Sequence, residues 1–294
     1  MQINFWKTLN KLSFRFFGRY LDPYINYFDS IKSDLLRSNV GLSLREYVYV
    51  MFFVTLLSFA IEFPLIVVIM SIVFKDALMA FMFSFSVTIV VVVAVFFIFY
   101  TYPSMNAGRR RKDIEASLPF ATTYMATIAA SGAPTVTMFK VLVGFKDYGE
   151  IAKEFEKIYR DVEVFGMDII GAIRKTASRT PSEELKELLW GLESTLSSGA
   201  NVENYLRQKS RLFIAEFKRR LEKYSATLSM LIEVYLTVVL VGSIFFIIMT
   251  SLMSIIGGGT NLTLVFLQFV VVFIILPLVS LGFIGLLKAI SPTV

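Results

Sequence analysis

The chain contains no cysteine and no histidine among its 294 residues. These absences exclude disulfides, thiolate nucleophiles, histidine bases and the usual zinc ligand sets, so no metal site and no cofactor is expected. The serines lack a histidine partner and show no recognisable serine-lysine spacing, which disfavours an enzyme. Charge is scarce as well. Charged residues make up 18% of the chain against 56% apolar residues, and the mean hydropathy is +0.67, which no ordinary soluble domain matches. No phosphate-binding G-x-x-x-x-G-K-[ST] loop occurs, because Gly257-Gly258-Gly259-Thr260 has no lysine, so the chain is not expected to bind nucleotide. Residues 1–46 carry charge throughout in place of the apolar core of a secretory signal, which predicts a retained N-terminus.

What the chain does have is long apolar runs, at roughly 48–74, 78–102, 229–256 and 262–287. Each is long enough to cross about 30 Å of hydrocarbon at 1.5 Å per residue, and an open segment satisfies its backbone there only as a helix. Ser43-Leu44-Arg45-Glu46 has the spacing of a capping box and marks the start of the first span. Of the 29 Lys and Arg, seven lie in residues 1–47, twenty in 103–228, one is Lys288 and one is Lys75. The positive-inside rule therefore puts the short connections at Lys75-Asp76 and 257–261 outside the cell membrane, with both termini and the segment between spans two and three in the cytoplasm. Arg109, Arg110, Arg111 and Lys112, and then Lys218, Arg219 and Arg220 with Lys223, are expected to anchor this topology and to contact lipid phosphates. The net charge of +6 is thus assigned to the bilayer, and no nucleic-acid partner is expected.

Before the first span, Lys7, Lys11, Arg15 and Arg19 recur every four residues beside Phe5, Leu9, Leu12, Phe16 and Tyr20. This pattern predicts an amphipathic helix lying on the membrane surface. Asp22-Pro23 then opens a second amphipathic helix, with Ile31, Leu35 and Leu36 turned toward an apolar neighbour.

From Asn106 to about Ser225 the periodicity is helical, with no alternating strand pattern. The first helix ends at Ser131-Gly132, with Pro119 expected to kink it unless a new helix begins there, and Pro134 opens the second. Asp147 with Glu150 has capping-box spacing for the third helix, which Gly166 stops; Asp168 caps the fourth. Thr180-Pro181-Ser182-Glu183 combines a capping box with a first-turn proline for the fifth, which ends at Gly199, and Asn201 caps the sixth. Gly132, Gly166 and Gly199 lie 34 and 33 residues apart, the spacing of repeated helical hairpins. Tetratricopeptide arrays share that period, but their aromatic and alanine pattern is missing, which favours a compact six-helix up-and-down bundle. An even number of helices returns the chain to the membrane, so the three glycine turns point away from it. The sixth helix has no proline before Ile256 and is expected to continue into the third span.

The expected fold class is therefore an all-α membrane protein with four transmembrane helices and a six-helix cytoplasmic bundle inserted between the second and third. Its segments are an N-terminal region 1–46, a hairpin 47–102, the bundle 103–228, a second hairpin 229–288 and a tail 289–294. Two acids fall inside spans, Glu62 and Glu233. With no cation at their depth, they are expected to be protonated or hydrogen-bonded to groups such as Ser58 or Thr88 across a helix interface.

Ala130-Ser131-Gly132-Ala133-Pro134, Glu163-Val164-Phe165-Gly166-Met167-Asp168, Thr180-Pro181 and Ser198-Gly199-Ala200-Asn201, set between two spans before and two after, resemble the platform family of type II secretion and type IV pilus machines. This is the type II secretion F domain in its archaeal or tight-adherence form, and the resemblance covers about residues 30–288. It implies a membrane platform that docks on a hexameric cytoplasmic ATPase and guides pilin-like subunits into a filament. Gly132, Gly166, Asp168, Gly199 and Asn201 become candidates for the ATPase-facing side, although helix capping alone accounts for each. One bundle where many relatives carry two implies a homodimer or a pairing with a second platform protein. A small transporter or channel using Glu62 and Glu233 is the competing expectation; four spans without evident repeats speak against it.

Overall fold

A computed structural model describes residues 13–14, 21–74, 76–256 and 262–290. The amphipathic pattern at 5–20, Lys75, the glycine run 257–261 and the last four residues of the tail lie outside the described residues, apart from Ser13 and Phe14. Among the described residues the structure is helical and has no strand. The chain divides into two compact units, Met1–Arg207 and Gln208–Val294.

In the first unit a 3-10 turn, Asp22–Phe28, leads into α1 (Asp29–Ser38), which ends at the left-handed Asn39. Ile31 and Leu35 of α1 are buried with Tyr47, whereas Leu36, expected on the same face, is exposed. The capping box forms as its spacing predicts: Glu46 N–H donates to Ser43 Oγ at 3.3 Å and Ser43 N–H to Glu46 Oε2 at 2.7 Å. It opens α2 (Leu44–Val73), and Asp76 caps α3 (Ala77–Ala130). Both helices are long and apolar enough to cross a membrane. They pack as a hairpin along Ala80, Ser84 and Thr88, small buried residues four apart that let two helices approach closely where water supplies no driving force. Phe63 meets the edges of Phe81 and Phe85 on the same seam.

At 54 residues, α3 is about 80 Å long, far more than a bilayer core requires, so its C-terminal part projects beyond one. It stays one α-helix through Pro103 and Pro119, and no new helix begins at either. The five helical segments expected next follow in order: α4 (Thr135–Val143), α5 (Gly149–Glu163), α6 (Ile169–Ala177), α7 (Glu183–Ser197) and the start of α8 (Val202–Tyr235). α3 packs on α1, α4, α5 and α7, and successive helices from α4 to α7 pack pairwise. Their core joins Ile114, Leu118 and Met125 of α3 to Phe139, Phe155, Ile173, Leu188 and Leu192, all without solvent exposure.

Two helix starts differ from the sequence expectation. Ser182, not Thr180, caps α7 by accepting from Leu185 N–H at 3.2 Å, while the Thr180 hydroxyl is buried without a partner among the described residues. Asp147 and Glu150 form no capping box: a 3-10 turn at Lys146–Tyr148 precedes α5, whose N-cap is Tyr148, and the Glu150 carboxylate is drawn to cations instead.

In the second unit the chain remains helical to Ile256, as the lack of proline predicts, but Leu236–Val241 adopts π-helical spacing between α8 and α9 (Gly242–Ile256). α10 (Leu262–Val270), a second π turn (Val271–Ile275) and α11 (Leu276–Ile290) follow. The segments Val202–Ile256 and Val265–Lys288 each contain an apolar window able to span a membrane, which makes four such helices among the described residues.

Candidate functional site

The glycine turns are built by helix termination. Gly132, Gly166 and Gly199 have φ of 72°, 63° and 67°, a left-handed conformation that costs a residue bearing a Cβ roughly 1–2 kcal/mol. At Gly199 the closure is a Schellman motif, with Ala200 N–H donating to the Thr195 carbonyl at 3.0 Å and Gly199 N–H to that of Leu196 at 3.2 Å. Asp168 caps α6 through the amides of Ile170 and Gly171, and Asn201 accepts from Asn204 N–H at 2.9 Å. All five candidates are thus used in capping. What capping does not use is the apolar surface of the middle turn: Val164 and Phe165 are 69% and 66% exposed, with Met167 beside them. The third helix is expected from the sequence to run on to Gly166, but α5 ends at Glu163 and leaves the Phe165 ring outside.

The basic residues after the first hairpin separate into two groups. Arg109, Arg111 and Lys112 are exposed, as are Lys218, Arg219 and Arg220 on α8. Arg110 is buried and is a correction to the lipid-contact expectation. Its guanidinium donates to Glu150 at 2.7 Å, to Glu154 at 2.5 Å and to the Arg37 carbonyl at the end of α1. Nearby, Asn106 Nδ2 donates to the Ser38 carbonyl at 3.0 Å. The buried charge is neutralised by carboxylates that themselves hold Lys153 and Lys157. Burial opposes ionisation of Glu150, but hydrogen bonds and charge from Lys153 and Arg110 outweigh it and hold its carboxyl below the ordinary range. The sequence signal for this cluster is the i,i+3 pairing of Glu150 with Lys153 and Glu154 with Lys157; its arginine lies 40 residues upstream and has no local signature.

The intramembrane acids are in different situations. Glu62 Oε1 accepts from Ser58 Oγ at 2.8 Å within α2, so the Ser58 bond forms, though not across a helix interface. Glu62 Oε2 is buried without a partner among the described residues. Thr88 binds the Ser84 carbonyl of its own helix. Glu233 is exposed on α8, three residues before the π turn. The two acids lie in different units. Sequence reading missed the polar groups of the second hairpin: Gln268 Nε2 donates to Thr250 Oγ1 at 2.5 Å, and Tyr235 shares a 2.9 Å hydrogen bond with Ser280 while stacking on Phe283.

Residues 121–250 match the family described as Type II secretion system (T2SS), protein F. An uncharacterized protein of Methanocaldococcus jannaschii is 28% identical over 203 residues, 65% of this chain and 33% of that protein. Flagella accessory protein J of the same organism is 26% identical over 46% of this chain and 24% of its own length. Flagella accessory protein J of Methanococcus voltae is 22% identical over 49% and 26%. The chain therefore spans about a third or less of the curated relatives it matches. No solved structure matches it. With four membrane-length helices, the chain is a multi-pass membrane protein, and its residues 121–250, which run across the glycine turns into the third span, are similar to the type II secretion system protein F family, as its archaeal relatives are to the chain.

Proposed function

We propose that the protein is the integral membrane platform of a type IV pilus-like or type II secretion-like filament assembly machine. The two hairpins hold it in the cell membrane, and the helices from α3 to α8 form a six-helix up-and-down bundle on the cytoplasmic side. There the glycine turns dock on an assembly ATPase, and the spans meet pilin-like subunits. A second copy, or a second platform protein, completes the platform.

The observation that carries this reading is the Gly166 turn. Val164, Phe165 and Met167 stand in the most strongly charged part of the chain yet remain outside its core, and a small cluster of exposed apolar and aromatic side chains is the usual anchor of a protein interface. The relatives named as flagella accessory proteins supply the kind of machine. Phe165→Asp combined with Asp168→Lys is expected to abolish co-purification with the cell's filament-assembly ATPase and to stop filament formation, while four-span insertion is unchanged. Undiminished co-purification would overturn the docking.

A further inference from the structure

The first unit contains a cavity of about 330 Å³ between the end of α1, the loop into α2, and helices α5 and α6. Four cations line it: Lys157, Arg160, Lys175 and Arg179. Two carboxylates, Glu154 and Asp161, lie in its wall, both buried. Lys157 is engaged by Glu154 at 2.9 Å and Lys175 by Asp161 at 2.7 Å. Arg160 and Arg179 have no carboxylate within ion-pair distance among the described residues; Arg160 lies 6.0 Å from the Phe165 ring centroid, a contact that leaves its donors unused. The wall thus carries two uncommitted guanidiniums, groups whose planar donor fork matches phosphate oxygens.

Glu154 Oε1 receives both Arg110 and Lys157, but Glu154 Oε2 is fully buried and has no partner among the described residues. A buried carboxylate oxygen is costly unless a donor reaches it. A ligand that satisfies both features carries a phosphate and a hydroxyl or ammonium group close together. The volume suits a headgroup-sized molecule. Gly41 and Leu42 line the cavity, immediately before the Ser43 cap from which the apolar helix α2 starts at Leu44.

We propose that this cavity binds a phosphate ester of a polyol or amino alcohol, with Arg160 and Arg179 holding the phosphate and Glu154 accepting from the hydroxyl or ammonium. Two sources share that chemistry: the headgroup of an anionic phospholipid in the leaflet that α2 enters, and a soluble phosphate ester. The test uses the full chain, purified in detergent and stripped of lipid, with native mass spectrometry and thermal unfolding as readouts. Phosphatidylglycerol, phosphatidylcholine, glycerol 1-phosphate and inorganic phosphate are the probes. One phosphatidylglycerol is expected to be retained per chain and to raise the unfolding midpoint, with phosphatidylcholine, which lacks the donor, without effect. Arg160→Gln with Arg179→Gln is expected to weaken binding about 100-fold, tenfold for each charge-assisted contact. Lys140→Gln with Lys186→Gln removes the same charge elsewhere and is expected to leave binding intact; unchanged far-UV circular dichroism shows that both variants fold. Glycerol 1-phosphate acting as strongly as the lipid identifies the soluble source. Binding of none of the four probes, equal binding of phosphatidylcholine, or equal weakening in both double variants would overturn the proposal.

Discussion

At the residue scale, the fate of Arg110 shows how one member of a basic run comes to differ from its neighbours. On a helix, Arg109 and Arg111 point about 100° to either side of it, so a face that packs on α1 and α5 takes Arg110 alone. Its removal takes the shared cation from the buried Glu154 and the part-buried Glu150, and Arg110→Ala is expected to cost about 3–5 kcal/mol, measured as a lowered thermal midpoint in detergent. The cluster also predicts a pH dependence. Because Glu150 has its pKa lowered in the folded state from an ordinary value of 4.5, its contribution to stability is complete above that value. It is lost as the pH falls below 4.5 through the lower folded-state value. The midpoint is therefore expected to hold steady from pH 7 to 5 and to decline in more acid solution, and Glu150→Gln is expected to make that decline shallower.

At the element scale, helix limits separate into those set by local chemistry and those set by packing. The ends at Gly132, Gly166 and Gly199 need a left-handed residue, and glycine is in place at each. The start of α7 is different, because Thr180 and Ser182 are both acceptable caps and only their surroundings choose. Ser182 reaches Leu185 N–H and donates to Glu115 Oε1 at 3.3 Å on α3. Ser182→Ala is expected to destabilise by about 1 kcal/mol. Thr180→Val, which removes a buried hydroxyl that has no partner among the described residues, is expected to be neutral or stabilising. Denaturant titration of the two variants distinguishes the caps; the opposite order would restore Thr180 as the cap.

At the scale of the whole molecule, the absence of cysteine makes topology directly measurable, since any introduced thiol is the only one. Ser131→Cys and Ser198→Cys, at two glycine turns, are expected to react with an impermeant maleimide only after the membrane is opened. Asn261→Cys is expected to react in intact cells. The reverse pattern would invert the orientation and overturn the proposed cytoplasmic docking.

The sequence by itself determined the helical class, the four membrane-length segments, the order of the helices between them and most of their ends. These depend on apolar run length and on capping residues within a turn of the site they act on. The resemblance to the secretion platform family was legible for the same reason, since the segments that carry it are those turns. Only the tertiary structure decided which arginine is buried, which hydroxyl caps α7, that Phe165 stays outside the core, and that a cationic cavity lies beside the start of α2. Each depends on partners far away in the chain: Arg110 meets groups 40, 44 and 73 residues distant. Whether a charge faces lipid, water or a carboxylate depends on what packs against it, and a helical period is the same in all three cases.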